Sequence, residues 1–280
     1  MFKRCLNSKL VDDLKSQPLY KEKLLPDIRK CVIFPAIRNG KVDFYYKGGR
    51  LFEYASNKFT SNIKYAFIPN CNKSGDIDEN FLKNTVHCEK FIDGYERIKE
   101  YCAKYNEGSE AEFVSRLYKD YSYFSKNPKD SNIILLDIEA SFKSSNDEKS
   151  QDRFDIVLLN KRKRTIKVVE AKLYSNNELR NFNVVKQIEG YEKVIKRDNK
   201  EITAAYKSYI KLVKDLFNIE LPDFDTVESD VGLLYFDFSK PDLKLVGELT
   251  NCLKEKMPDN KIYAVGNTGG QSGASLKKLF

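Results

Sequence analysis

The stretch RFDIVLLNKRKRTIKVVEAKLY, from Arg153 to Tyr174, decides the fold of this 280-residue chain. Two apolar runs rich in β-branched residues flank the basic turn Lys161 to Arg164, a pattern that predicts a β-hairpin. Each run is apolar on both faces, which is typical of central strands in a sheet that is covered on both sides. Asp155, Glu170 and Lys172 interrupt these runs. Charges in such a dry layer are costly unless they are paired or bind a metal ion.

The spacing of the charges indicates a shared face. Side chains alternate along a strand, so Glu170 and Lys172 point the same way, and a common hairpin register brings Asp155 near them. Two neighbouring carboxylates repel each other, and a Mg²⁺ ion would offset that repulsion. An adjacent lysine could then act on a metal-bound water or stabilise charge on a phosphate. The alternative is a structural ion pair between Glu170 and Lys172, with Asp155 only opening the hairpin.

The segments around the hairpin predict the rest of the sheet. A helix is expected over 109–125, with Ser109 and Glu112 at capping-box spacing and Glu110 on the apolar face. A strand over 133–142 carries Glu139. After the hairpin we expect helices at 177–197, 204–217 and 242–256 and strands at 231–238 and 261–267. The order α-β-β-β-α-β predicts an α/β (α+β) fold, a mixed central sheet flanked by helices.

The N-terminal part has a different pattern of apolar residues from the segments around the hairpin. Residues 1–29 predict helix, and the dipeptides Asn39-Gly40 and Gly48-Gly49 predict an antiparallel β-meander from Arg29 to Ile68. The segment PNCNKSGDIDEN (69–80) is expected to be a loop, 79–105 helical, and the tail 268–280 a mobile loop and end. We therefore divide the chain into 1–105, a helix plus meander suited to substrate selection, and the core 106–280.

Composition narrows the class of protein. The 41% of hydrophobic residues suffice for a core, and a net charge of +8 suits either phosphate binding or a solvated lysine-rich face. No apolar run reaches the roughly 18 residues of a membrane helix, and no signal peptide is evident, so we expect a cytoplasmic protein without a membrane partner. Six scattered cysteines without a CxxC pair predict reduced thiols. His87, beside Cys88, is interpreted as structural.

The constellation resembles the PD-(D/E)xK nuclease superfamily. The resemblance is carried by Asp155, by Glu170-Ala171-Lys172 fifteen residues further on, by the element order and by Gln187 on the next helix. The pattern [DE]xK also occurs at Asp13, Asp198, Asp242 and Asp259, but there it lacks the apolar strand, the preceding hairpin aspartate and the following helix. The resemblance covers about residues 107–240.

This resemblance implies roles for individual residues. Asp155, Glu170 and the carbonyl of Ala171 would bind Mg²⁺, for which Mn²⁺ could substitute, and Lys172 would be the catalytic lysine. A further acid would join the site, with Glu110 as the first candidate and Glu139 as the competing one.

Gln187 and Tyr191 form a Q-x-x-x-Y pattern on one helix face. It resembles the RecB-like branch of the superfamily, in which the glutamine positions the catalytic groups and the tyrosine lies near substrate. The alternative for Tyr191 is inward packing of an ordinary amphipathic helix. Phe154 replaces the proline of the family name. Only Cys252 lies downstream of the motif, so an iron–sulfur cluster is not expected.

The leading hypothesis is a metal-dependent nuclease that acts on DNA. The basic turn of Lys161, Arg162, Lys163 and Arg164 would bind phosphates, unless it is merely a solvated turn. The alternatives are a non-catalytic nucleic-acid-binding or protein-interaction module on a nuclease-derived fold, and a nuclease acting on RNA. A homodimer is compatible with each of these functions.

Overall fold

The computed structural model describes residues 2–66, 75–82, 90–143, 151–266 and 275–280. These residues form helices and two β-sheets, one of five and one of six strands. His87 and Cys88 lie outside the described residues. No helix in the described ranges is both long and apolar enough to span a bilayer.

The N-terminal residues form the expected helical segment and meander. The helical part comprises α1 (Ser8–Ser16), a π-helical turn at Tyr20–Leu24 and α2 (Leu25–Arg29). An antiparallel sheet follows in the order β1-β2-β3-β4-β5, made of β1 (Phe34–Arg38), β2 (Lys41–Tyr46), β3 (Gly49–Ala55), β4 (Lys58–Asn62) and β5 (Asp76–Asp78). Both predicted hairpins are present.

Two features of this sheet differ from the expectation. A third hairpin joins β3 to β4 through Ser56 and Asn57, which both have positive φ (49° and 61°). Such a turn fits the strand twist without any glycine. Asp76–Asp78, expected in a loop, pair with β4. The short helices α3 (Ile63–Ala66) and α4 (Glu79–Leu82) and the helix α5 (Tyr95–Asn106) complete this part.

The second sheet is mixed and has the predicted topology. Its main path runs β11-β10-β8-β7-β6, with β6 (Ile133–Lys143), β7 (Gln151–Asn160), β8 (Thr165–Leu173), β10 (Gly232–Phe236) and β11 (Ile262–Val265); β9 (Thr226–Val227) pairs with the start of β8. The strands β6, β7 and β8 are antiparallel, whereas β10 is parallel to β8 and β11 to β10. The α+β class and the αβββαβ order are confirmed.

The helices of this part depart from the expected boundaries. The helix expected over 109–125 is divided into α6 (Glu110–Ser115) and α7 (Tyr118–Tyr121) by a tight turn, in which Arg116 and Leu117 donate to carbonyls three residues back. Conversely, α8 (Asn177–Arg180) is followed by one long helix, α9 (Asn183–Phe217), which kinks at Asp198 and joins two helices that we expected to be separate. The last long helix is α10 (Leu243–Lys256).

Apolar residues cover both faces of the mixed sheet. Val157, Ile166 and Val168 pack with α9 on one face, while Ile156, Leu158 and Val169 face α6 and α7. The C-terminal turn Leu276–Leu279 packs on the second face, with both leucines fully buried, so the expectation of a mobile tail is wrong there. The near-complete burial of β8 confirms that it is a central strand.

The core is continuous across residue 105. Phe34, Ala36 and Tyr45 of the N-terminal sheet pack in the same cluster as Tyr118. Fully buried Asp137 on β6 also ties the two parts together, because it forms ion pairs with Arg4 (3.0 Å) and Arg38 (2.7 Å). The N-terminal sheet is thereby held against the sheet that carries the candidate site.

Candidate functional site

The hairpin register brings Asp155 and Glu170 together. Ile156 pairs with Val169, which places Asp155 opposite Glu170 on the neighbouring strand. One carboxylate oxygen of Asp155, Oδ2, accepts a hydrogen bond from the backbone N–H of Ala171 at 2.9 Å. Glu170 is fully buried. The two acids that interrupt the apolar strands therefore lie side by side.

Lys172 lies among three acids. Its Nζ is 2.7 Å from Oε1 of Glu170, 2.9 Å from Oε2 of Glu178 and 3.9 Å from Oε2 of Glu110. Burial disfavours its charged form, but the carboxylates outweigh burial and raise the pKa of Lys172 above its ordinary value. The side chain is therefore an ammonium at neutral pH. It can donate hydrogen bonds and stabilise negative charge, but it has no free lone pair to accept a proton.

Simultaneous ionisation of the two facing carboxyls, Asp155 and Glu170, is strongly disfavoured. Burial raises the pKa of Asp155, against the opposing effects of the Ala171 N–H and the Lys172 charge. Burial, reinforced by the nearby charge of Asp155, raises the pKa of Glu170 well above its ordinary range. Oε1 of Glu170 has the ammonium of Lys172 at 2.7 Å, whereas the buried Oε2 has no hydrogen-bond partner among the described residues. Such a pair gains most from a bound cation or a shared proton.

Glu110 is oriented by two donors. It lies in the first turn of α6, whose N-cap is Ser109. Its Oε1 accepts hydrogen bonds from the backbone N–H of Leu173 (3.1 Å) and from Nδ2 of Asn176 (2.6 Å). Asn176 also caps α8, because its Oδ1 accepts from the N–H of Glu178. Asn176 is not among the residues predicted from the sequence, although an asparagine before a helical segment is a recognisable N-cap.

Glu139 lies beside this cluster rather than within it. Its backbone has a φ of +50°, in the left-handed region, and its Oε2 is 2.8 Å from Nε of Arg153. Burial raises the pKa of Glu139 to about 7; Arg153 opposes that shift and the charge of Asp155 adds to it. Of the two candidate acids, Glu110 contacts the ammonium of Lys172, while Glu139 holds Arg153.

Gln187 and Tyr191 attach α9 to the edge of the site. Nε2 of Gln187 donates to the hydroxyl of Tyr191, which donates in turn to the carbonyl of Arg153, both at 2.8 Å. The ring of Tyr191 packs edge-on against Phe154 and is 4% exposed. Tyr191 therefore packs inward, as the alternative for it predicted, while its hydroxyl still borders the site. Its contact with nucleic acid stays a prediction.

These residues enclose a polar cavity of about 320 Å³. Six predicted residues line it, and the sequence analysis did not predict the two others, Ser141 and Arg153; the complete lining is Glu110, Ser141, Arg153, Asp155, Glu170, Lys172, Gln187 and Tyr191. We call it the catalytic cavity, after the roles that the resemblance predicts for its residues.

The basic turn lies at the other end of the hairpin. Lys161 is six residues from Asp155 along β7, which corresponds to roughly 20 Å. Arg164 forms a two-pronged hydrogen-bonded pair with Asp225 (2.9 and 2.8 Å), and Nζ of Lys163 donates to the carbonyl oxygen of Phe280. Arg162 is exposed. The turn is not brought to the catalytic cavity, and its contact with nucleic acid stays a prediction.

The donors of the catalytic cavity suit a hard divalent cation that keeps part of its water shell. Within the described ranges, no group of three or more His, Cys, Asp and Glu side chains is arranged to hold a metal ion. Asp155 and Glu170 provide two carboxylates, and Mg²⁺ commonly binds through one or two of these together with water. The buried Oε2 of Glu170, which has no hydrogen-bond partner among the described residues, fits such a cation. The expected contribution of the Ala171 carbonyl stays a prediction.

Searches against protein-family models, curated proteins and solved structures returned no match for this chain. The chain is therefore classified by its fold and site alone. It is an α+β protein whose mixed sheet carries a buried Asp–Glu–Lys cluster facing a polar cavity.

Proposed function

We propose that the chain is a metal-dependent nuclease of the PD-(D/E)xK type that hydrolyses phosphodiester bonds, DNA being the first expected substrate. The observation that carries the proposal is the buried cluster of Asp155, Glu170 and Lys172 in a polar cavity. A purely structural ion pair with Lys172 would account for only one oxygen of Glu170, because Oε2 is buried without a hydrogen-bond partner among the described residues.

Asp155 and Glu170 would hold the metal, Mg²⁺ or in its place Mn²⁺, and the carbonyl of Ala171 would add a ligand. When bound, such an ion relieves the repulsion between the carboxylates, activates water and polarises the phosphate. Lys172, held as an ammonium, donates a hydrogen bond to a phosphate oxygen as negative charge develops there. Glu110 fixes that ammonium from the α6 side, and Gln187 and Tyr191 hold the backbone of β7 two residues before Asp155.

The runner-up is a nucleic-acid-binding or protein-interaction module without turnover. It accounts for the fold equally well, but it gives no reason to retain two facing carboxylates in a dry layer, which costs several kcal/mol. A nuclease directed at RNA has the same site chemistry. A homodimer and a cytoplasmic location belong to the proposal as expectations.

A cleavage assay tests the proposal. Supercoiled plasmid, linear duplex, single-stranded DNA and RNA are incubated with Mg²⁺, with Mn²⁺ or with a chelator. The wild type is compared with Asp155→Ala and Lys172→Ala, and Asp223→Ala serves as a matched exposed control. We expect metal-dependent cleavage by the wild type and the control only. The proposal would be overturned if the wild type cleaved none of the substrates, or if both site variants cleaved them as well as the wild type does.

A further inference from the structure

A second, larger cavity adjoins the catalytic cavity. Its volume is about 560 Å³, and it shares Ser141 and Arg153 with the catalytic cavity. It lies where the N-terminal sheet meets α6, so its walls come from both parts of the chain. The motif chemistry does not explain why a cavity of this size opens next to the candidate catalytic groups. We call it the flanking cavity.

The walls of the flanking cavity are held in place by close packing. The turn between β2 and β3 contains Gly48, where an added Cβ would lie 2.5 Å from backbone atoms of Ala111 and Glu112. An added Cβ at Gly49 would lie 2.4 Å from the side chain of Asn106 and clash with it. The meander therefore rests directly on the start of α6, the helix that also carries Glu110. A cavity with such walls exists before any ligand arrives.

Two cations of these walls are paired with an acid just outside the lining. Lys41 contacts Glu53 at 2.5 Å, and Arg50 contacts the same carboxylate at 2.6 Å. The lining itself contains four cations and two acids, Asp43 and Glu139, so it offers both donors and acceptors and has an excess of positive groups. It suits a polar group with both kinds of atom that is attached to an anion.

Asp43 supplies an unused acceptor in this cavity. Its side chain is 6% exposed, and its Oδ1 accepts no hydrogen bond from the described residues. Nζ of Lys41 and NH1 of Arg50 are 3.7 and 3.9 Å from that oxygen, beyond hydrogen-bond distance, and Nε of Arg38 is 3.4 Å from the other oxygen, Oδ2. A buried carboxylate oxygen in this state is a strong acceptor for an N–H group of a ligand.

Arg153 differs from the other cations. Its side chain is 57% exposed, and among the described residues Glu139 contacts it through Nε, so the terminal guanidinium nitrogens can bind an anion. It lies at the junction of the two cavities. An arginine in this position can bind one phosphate with two parallel hydrogen bonds.

We infer that the flanking cavity binds one unpaired nucleotide next to the scissile phosphodiester, with its base in the cavity and its phosphate on Arg153. The identity of the ligand rests on the proposed function. A base with an exocyclic amino group donates to Asp43, whereas the N3–H of thymine and uracil lies between two carbonyl oxygens that a carboxylate repels. Cytosine, adenine and guanine are therefore favoured. The volume lies within the range of about 300–1,000 Å³ for small-molecule sites. A base inside the cavity is out of a duplex, so the substrate is single-stranded or unpaired at the cleavage point.

Binding of free nucleotides without metal tests the inference directly. Cytidine 5′-monophosphate, uridine 5′-monophosphate and ribose 5-phosphate are titrated in chelator, with binding followed by ligand-observed NMR. The two bases have the same ring and differ at C4, an amino group in cytosine against a carbonyl oxygen in uracil, and at N3, an acceptor in cytosine against an N–H in uracil. We expect cytidine monophosphate to bind about tenfold more tightly than uridine monophosphate, the effect of one hydrogen bond to a charged group. Ribose 5-phosphate should bind more weakly than either.

Three variants locate the site. Ala111→Leu fills part of the cavity without changing charge, Arg153→Gln removes the phosphate contact, and Asp43→Asn replaces the acceptor by an amide. The first two variants should bind cytidine monophosphate about tenfold more weakly than the wild type. Asp43→Asn should abolish the preference for cytidine monophosphate over uridine monophosphate. Arg197→Gln, which replaces a half-exposed arginine of α9 outside both cavities, should bind like the wild type, and thermal unfolding establishes that each variant folds. Equal binding of the two nucleotides by the wild type, or unchanged binding by Ala111→Leu, overturns the inference even where Asp43→Asn does not fold.

The outcome is separable from that of the proposed function. Lys172→Ala should lose cleavage and keep nucleotide binding, since Lys172 does not line the flanking cavity. Nucleotide binding without cleavage of any substrate would refute the proposed nuclease activity and support the nucleotide subsite. Metal-dependent cleavage without discrimination between the nucleotides would support the nuclease activity and refute the subsite.

Discussion

Nζ of Lys172 lies 2.7 Å from Oε1 of Glu170, two positions earlier on the same strand. The strand alternation that puts both side chains on one face also fixes this contact, so the ammonium is held beside the carboxylate before any ligand binds. Burial works against that ammonium, but Glu170, Glu178 and Glu110 together keep the pKa of Lys172 raised. The lysine is thus available as a hydrogen-bond donor and a positive charge at neutral pH.

Replacement of Lys172 by methionine should therefore reduce cleavage by about 10²–10³-fold, the typical effect of losing one group that stabilises transition-state charge. The rate should fall far more than substrate affinity, because the contact forms mainly as charge develops. Single-turnover rates with excess enzyme measure this effect. Lys161→Met, on the same hairpin but roughly 20 Å away, is the matched control. Similar rates for the two variants would refute the role of Lys172.

The raised pKa values of Asp155 and Glu170 predict an unusual dependence of stability on pH. A carboxyl with a raised pKa binds more protons in the folded than in the unfolded state, so metal-free stability should fall as pH rises from the unfolded values, about 3.9 and 4.3, toward the folded ones. Asp155→Asn removes one of the two charges. It should raise the thermal midpoint of the metal-free protein at neutral pH while abolishing cleavage.

Added Mg²⁺ should stabilise the wild type, and more strongly at higher pH because the ion displaces protons from these carboxyls. The Asp155→Asn variant should show little of this stabilisation. Thermal unfolding with and without Mg²⁺ over a range of pH measures both effects. A metal-free variant less stable than the wild type would contradict the repulsion between the two acids.

The hydroxyl of Tyr191 should matter more for structure than for substrate contact. It donates to the Arg153 carbonyl and accepts from Gln187, so Tyr191→Phe leaves a backbone acceptor near the site without its partner. We expect a loss of about 1–2 kcal/mol in the free energy of unfolding and a moderate loss in rate. Tyr118→Phe is a matched control, because the buried Tyr118 hydroxyl has no hydrogen-bond partner among the described residues. Denaturant unfolding should show little or no destabilisation for this control.

Local chemistry accounts for the parts of the site that the sequence predicts. Alternation along β8 puts Glu170 and Lys172 on one face, the short hairpin sets the register that brings Asp155 opposite, and the helical wheel orients Glu110. Each of these arguments uses residues that are near in the chain or on one element. They hold because the strands are central, where burial leaves little freedom of register.

The remaining features depend on contacts between distant segments. Asn176 reaches Glu110 across 66 positions, and Leu276 and Leu279 are buried by a sheet that no local pattern in the tail indicates. The positive φ of Glu139 is set by its place in β6, not by a residue type that favours it. The hairpin at Ser56 and Asn57 lacks the glycine that marks the other two. Such features can be identified only from the folded structure.

The basic turn should act on long substrates only. Arg162 is exposed and lies roughly 20 Å from Asp155, so an oligonucleotide too short to span that distance cannot reach it. Arg162→Ala should weaken binding of long nucleic acid and flatten its salt dependence, while short oligonucleotides are cleaved as before. Arg164→Ala is the comparison, since Arg164 is already paired with Asp225 and should have a smaller effect. If Arg162→Ala reduced binding and cleavage of short and long substrates equally, the predicted role of the basic turn would be refuted.

Asp137 should be the most sensitive acid outside the catalytic cavity. Its buried carboxylate pairs with Arg4 and Arg38, which are 4% and 7% exposed. Among the described residues, Asp137→Asn leaves Arg4 without its counter-charge and Arg38 with Asp43 alone. We expect a loss of about 3–5 kcal/mol in the free energy of unfolding, typical of a broken buried ion pair. Urea unfolding measures the loss, with Asp225→Asn in an exposed pair as the matched control, for which no measurable change is expected. Because Asp137 joins the N-terminal segment, the meander and β6, a small effect would mean that apolar packing alone holds these parts together.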